Sequence, residues 1–122
     1  RVVAAPFSAA ILEEDATFAR AVLVGLHADG ATEAIVDAGV ASRRGFAVVP
    51  CCVFGRTHGL FDPNDTTKPM SYDAFCAHLR AKAGCGESTP IASAELAFAG
   101  RNRVLYCVVD DDDDQSEHHA KA

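Results

Sequence analysis

Two apolar runs, AVLVGL at 21–26 and FAVV at 46–49, each stop at chemically distinctive side chains, and a stretch with helical spacing lies between them. No other feature narrows the folding options as far. Strand-length runs that are apolar throughout suit strands covered on both faces, the environment of parallel strands in a sheet flanked by helices. Between them, Ala31, Ala34, Ile35, Ala38 and Ala41 share one face of a helix expected over 31–44. Thr32 and Glu33 stand in its first turn, Arg43 and Arg44 in its last, and Gly45 is placed to cap it, the order that free N–H groups and the helix dipole favour. Strand, helix and strand in this sequence predict neighbouring parallel strands whose carboxyl ends open on one crevice.

The remaining segments extend that pattern. VVAA at 2–5 before Pro6 reads as a further strand, and 8–20 as a weakly helical or irregular connection. Residues 52–69 are rich in Gly, Pro and Asx, and a structureless connection of that length is a functional loop or a disordered one. Ser71 suits the N-cap of a second helix, with Tyr72, Phe75, Cys76, Leu79 and Ala83 on one face and Gly84 at its end. Residues 91–98 and 103–109, joined by AGRN, predict an antiparallel hairpin. The expected fold class is α/β, a partial Rossmann-like sheet of parallel strands with a C-terminal antiparallel hairpin. It forms one domain over 1–109, followed by an acidic disordered tail over 110–122.

Charge bears on partners. Of the net charge of −6, the tail supplies six acids against one base, and the body holds 11 acids against 10 bases. No broad basic surface announces nucleic acid, although a local basic patch is compatible with that balance. The run Asp110–Asp114 reads as a solvated tail. The five cysteines are odd in number and mostly scattered, which argues against a disulfide framework. Cys76, Cys85 and Cys107 read as structural. No apolar run approaches the ~20 residues that span a bilayer, and no secretory leader pattern is present. The expected compartment is cytoplasmic or nuclear, and reducing. The chain opens at Arg1 inside an apolar pattern, so a longer parent protein is expected.

Two motifs carry the candidate chemistry. His27-Ala28-Asp29-Gly30 follows the first apolar run. Asp29 there is either a helix cap or an acid, base or anchor facing a ligand, and His27 either a half-buried ring or its partner in proton transfer. Pro50-Cys51-Cys52 follows the second run. The vicinal thiols fit packing, a strained disulfide, metal ligation with His27 or His58, or a thiolate nucleophile; the CxxC-like spacing of structural zinc sites is missing.

Together "VGLHADGATEAIVD" and "FAVVPCCVFG" resemble a group of class I S-adenosylmethionine-dependent methyltransferases marked by an LHxxGxxT segment after the fourth strand and a (P)CC segment after the fifth. They resemble more distantly the tRNA 2′-O-methyltransferases with a related "CGxATD" and "CC" pair. About thirty residues match closely, and the terminal helix and strand pair fit by order. The resemblance implies that His27 and Asp29 are catalytic, orienting or deprotonating the methyl acceptor. It implies that Leu26 and Gly30 flank the cofactor, and that Thr32, Pro50, Cys51 and Cys52 line the substrate pocket. RNA is the acceptor class implied by the distant relatives. The family's glycine-rich cofactor loop and its acidic partner do not occur in this chain. The implied partner is therefore the N-terminal half of the same domain, upstream or on another chain, and S-adenosylmethionine is expected to bind only with it. The competing expectation is a non-catalytic methyltransferase-like binding domain.

Overall fold

The computed structural model describes residues 7–14, 16–18, 20–86 and 89–109. The strand expected at 2–5 and the tail at 110–122 lie outside the described residues. In chain order the elements are α1 (Ile11–Glu14), β1 (Leu23–Leu26), α2 (Thr32–Ser42), β2 (Phe46–Val49), α3 (Gly55–His58), β3 (Phe61–Asp62), β4 (Asp65–Pro69), α4 (Tyr72–Arg80), β5 (Ala92–Glu95) and β6 (Arg103–Cys107). The class is α/β, with a mixed four-stranded sheet in the order β1-β2-β6-β5 and a separate two-stranded hairpin, β3-β4.

The strand–helix–strand pattern produces the expected parallel pair, with Leu23 opposite Phe46 and Leu26 opposite Val49. β6 runs antiparallel to β2, placing Leu105 opposite Val48 and Cys107 opposite Phe46. β5 runs antiparallel to β6. β5 therefore points the same way as β1 and β2, and the β5–β6 turn opens at the same end of the sheet as residues 27 and 50.

One sheet face holds the core. Leu23, Phe46, Val48, Leu105 and Cys107 meet Ile35, Val36 and Ala38 of α2 and Phe75, Cys76 and Leu79 of α4 in a single cluster. Val36, Phe46, Val48, Leu79 and Leu105 are all but sealed from solvent, each such side chain contributing roughly 1.5–3 kcal/mol relative to exposure. Two glycines permit the close approach of α2. A Cβ on Gly25 would stand 2.7 Å from Ile35 Cδ1, and one on Gly39 would stand 2.5 Å from Phe46 Cδ1.

Several expectations need correction. The buried face of α2 is Thr32, Ile35, Val36, Ala38 and Gly39, while Ala34 and Ala41 are exposed. An alanine-rich helix has a weak apolar stripe, so the larger Val36 and the gap at Gly39 decide its rotation. Arg43 in the left-handed conformation (φ 53°) ends α2, two residues before Gly45, with its N–H directed to Gly39 and Val40 carbonyls. Residues 52–69 are not structureless; they contain α3 and the β3-β4 hairpin, with Asn64 N–H donating to Asp62 Oδ1 at 2.8 Å in its turn. β1 is covered on one face only among the described residues, since Val24 and Leu26 are exposed.

The second helix starts where its sequence signals put it but ends at Arg80, so that Ala83, expected on its buried face, is exposed beyond it and Gly84 is not its stop. Ser71 Oγ accepts from Ala74 N–H at 3.1 Å, and Phe75, Cys76 and Leu79 are buried. A seam of charge ties α4 to α2: His78 Nε2 lies 2.6 Å from Glu33 Oε1, and Lys82 Nζ lies 3.0 Å from Glu33 and 2.8 Å from Asp37. Burial alone would raise Glu33, but hydrogen bonds from His78 and Lys82 outweigh it and hold the carboxyl below its ordinary value. Cys85 and Cys107 form a disulfide across 22 residues, with Cα atoms 6.2 Å apart. Closing a loop of that length is worth about 3 kcal/mol in the chain-entropy account. Among the described residues, no helix is long and apolar enough to cross a membrane.

Candidate functional site at the strand ends

Beyond Leu26 the ladder continues for one residue, because His27 N–H donates to the Val49 carbonyl at 3.1 Å. The chain then turns sharply. His27 (φ 49°) and Asp29 (φ 50°) both occupy the left-handed region, which costs energy for a residue with a Cβ, although His and Asp tolerate it better than most. A single 3₁₀ turn, Asp29–Ala31, leads into α2. Its geometry excludes the capping role open to Asp29 in the sequence, since neither the 3₁₀ turn nor α2 has a side-chain cap.

Asp29 instead faces the other strand end. Cys51 Sγ donates to Asp29 Oδ1 at 3.1 Å. The donor atoms of Asp29, Cys51 and Cys52 all lie within 4.8 Å of one another, with Cys51 half-buried and the other two exposed. Three of the four residues singled out at the two motifs therefore meet. His27 does not join that cluster; its ring centroid lies 6.4 Å from that of Phe98 in the β5–β6 turn.

The protonation state of Cys51 follows from this contact. Burial, together with hydrogen bonds to the Asp29 carboxylate and Cys52, pushes its thiol up to about 11. At neutral pH Cys51 is a neutral donor that holds the Asp29 carboxylate in place. A thiolate nucleophile at Cys51 is thereby disfavoured, since the thiolate is the reactive form.

The other expected site residues are placed less uniformly. Gly30 faces His58, whose Nε2 would stand 3.3 Å from a Cβ at that position. Leu26 is exposed, with its side chain on the open face of β1. Thr32 is 1% exposed and Thr32 Oγ1 has no partner among the described residues. Pro50 is buried and its carbonyl accepts from the Tyr72 hydroxyl at 3.2 Å.

The same rim contains residues that sequence patterning missed. Arg101 Cζ lies 3.8 Å from the Tyr72 ring centroid and Arg103 Cζ lies 5.6 Å from it, both within cation–π range. Arg103 also pairs with Asp73 at 3.2 Å. Burial and the neighbouring Cys76 push the Tyr72 hydroxyl above its ordinary value against the opposing pull of the two arginines, which keeps it a proton donor to Pro50. The AGRN turn was the available signal, because an antiparallel hairpin after two parallel strands can bring its turn to their carboxyl ends.

An apolar groove of about 250 Å³ between α1 and β1 is lined by Phe7, Ile11, Phe18, Val22 and Val24 among others. Among the described residues no titratable side chain lines it, so the polar crevice above the strands is the better candidate for chemistry. Comparison of the chain with family models, curated proteins and solved structures gave no match.

Proposed function

We propose that the strand-end crevice is the methyl-acceptor side of an S-adenosylmethionine-dependent methyltransferase of Rossmann-like architecture. Its cofactor-binding part is the N-terminal half of the same domain, upstream or on another chain. The observation that carries this is the Asp29–Cys51 hydrogen bond, which joins the LHADG and PCC motifs in one crevice. The open apolar side of β1 adds support, because a strand with Val24 72% and Leu26 64% exposed calls for further structure to cover it.

In this mechanism Asp29, oriented by Cys51, accepts the proton or hydrogen bond of the methyl acceptor. His27 orients the acceptor from beside Phe98. Methyl transfer itself needs in-line placement more than covalent chemistry, so positioning supplies most of the rate, with general-base assistance of roughly 10²–10⁴-fold. Leu26 and Gly30 lie on the cofactor side, and Thr32, Pro50, Cys51 and Cys52 shape the acceptor pocket. With Arg103 paired to Asp73, Arg101 is the cation at the rim that a phosphate-bearing acceptor such as RNA would meet.

The test is methyl transfer by the natural full-length protein and by its His27→Ala/Asp29→Ala variant. Loss of about 100-fold or more in turnover with an unchanged circular dichroism spectrum is expected; unchanged turnover overturns the assignment. The absence of a glycine-rich cofactor loop from this sequence favours a second reading, a non-catalytic methyltransferase-like binding domain. Failure of the full-length protein to bind S-adenosylmethionine selects it.

A further inference from the structure

We propose that Asp29, Cys51 and Cys52 bind a single divalent metal ion of borderline softness, Zn²⁺ fitting best, in a three-residue site with its fourth position open. The inference rests on the ligand set and its geometry, independently of methyl transfer.

The donor types select the metal. Two sulfurs and one carboxylate oxygen suit Zn²⁺ and its spectroscopic substitute Co²⁺, whereas Mg²⁺ and Ca²⁺ demand oxygen ligands throughout. Three protein ligands with an open corner is the arrangement of zinc sites that hold a water or a substrate atom, as opposed to closed structural sites.

The spacing is also right. With Zn–S near 2.3 Å and Zn–O near 2.0 Å, a tetrahedral ion requires S···O edges of about 3.5 Å and an S···S edge of about 3.8 Å. Cys51 Sγ and Asp29 Oδ1 already stand 3.1 Å apart, and all three donor atoms lie within 4.8 Å of one another. Shifts of at most about 1.3 Å bring them from within 4.8 Å of one another to those edges, within the freedom of exposed rotamers.

The scaffold holds the ligands in place. The ladder bond from His27 N–H to the Val49 carbonyl locks the two strand ends together. The left-handed backbone at Asp29 turns its carboxylate toward the thiols, and Pro50 before them is buried and bonded to Tyr72. Asp29 and Cys52 are exposed, so an ion can enter without opening the core. Binding of Zn²⁺ displaces the two thiol protons to solvent and breaks the Cys51–Asp29 hydrogen bond, with no change of oxidation state.

The test uses the 122-residue protein with Cys51 and Cys52 reduced, titrated anaerobically with Co²⁺ and then with Zn²⁺. One Co²⁺ per chain with a thiolate-to-metal charge-transfer band, bleached by stoichiometric Zn²⁺, is the expected result. Cys51→Ser and Cys52→Ser each weaken or abolish the band, Asp29→Ala lowers affinity about 10-fold or more, and Cys76→Ala leaves it intact. Absence of a band, or a band that survives in the Cys51→Ser/Cys52→Ser double variant, overturns the site. Circular dichroism of each variant checks that the fold is retained. Replacement is at exposed or half-buried positions, so a folded variant lacking the band gives a clean outcome. Methyl-transfer activity plays no part in the readout, so failure here leaves the proposed function standing, whereas success makes Asp29 a ligand and removes it as the acceptor's base.

Discussion

The two faces of the four-stranded sheet have opposite fates at its β1 edge, although Val49 of β2, beside Leu26 on the second face, is buried. On one, Leu23, Phe46, Val48 and Leu105 disappear under α2 and α4. On the other, Val24 and Leu26 alternate with the buried residues of β1 and remain exposed, with Val22 beside them at 66%. A sheet face that solvates itself normally carries polar side chains at those positions. The apolar run AVLVGL therefore continues over side chains that the described structure leaves in solvent.

Substitutions can break that contrast. The largest effect is expected on the covered face: Phe46→Ala should cost about 3–5 kcal/mol in chemical unfolding, because it removes a sealed ring between β2 and Gly39. Gly39→Ala should cost about 1–2 kcal/mol despite its better helix propensity, since the added Cβ meets that ring at 2.5 Å. A stabilised Gly39→Ala variant would mean that α2 sits farther from the sheet than the structure places it.

The α2–α4 seam gives a smaller, pH-dependent effect. Glu33 is held below its ordinary 4.5, so its contribution is present above that value and lost as pH falls through the folded-state value. Glu33→Gln should cost about 1 kcal/mol at neutral pH, with the difference from the parent disappearing in acid. A pH-independent difference would assign the loss to packing.

Val24→Ser and Leu26→Ser sharpen the comparison most directly. In this chain each should change stability by less than about 0.5 kcal/mol. In any longer form of the protein that covers this face, each should cost about 2 kcal/mol. Equal small effects in both would show that the face stays open.

The smallest change concerns the crevice. Iodoacetamide should label Cys52 ahead of Cys51 at neutral pH, with Cys51 labelling rising only toward about 11. Asp29→Ala should move that rise partway back toward 9.0, since burial, the larger cause, remains. Equal labelling of both thiols at neutral pH would deny the Cys51–Asp29 contact.

Much of the fold was legible from local signals. The parallel pair β1-β2, the Ser71-capped start of α4 and the β5-β6 hairpin each follow from periodicity and cap or turn chemistry, which act over a few residues, although β5 ends at Glu95 and β6 at Cys107, short of the expected 98 and 109. The rotation of α2 was not legible, because its alanines bury too little area to choose a face. The β3-β4 hairpin was hidden by a composition that resembles a loop. The Cys85–Cys107 disulfide joins residues whose spacing indicates no pairing, because connectivity depends on where strands settle.

The candidate site divides in the same way. Residue order determined that the LHADG and PCC motifs would each end a strand, since a βαβ unit sends both carboxyl ends to one edge. Only the tertiary structure decided that Asp29 turns to Cys51 and Cys52 while His27 turns toward Phe98, and that Arg101 and Arg103 reach the same rim over Tyr72. The reason is physical: strand periodicity governs which end of the sheet a residue reaches, whereas side-chain contacts depend on backbone angles such as the positive φ of His27 and Asp29, and no local propensity dictates those.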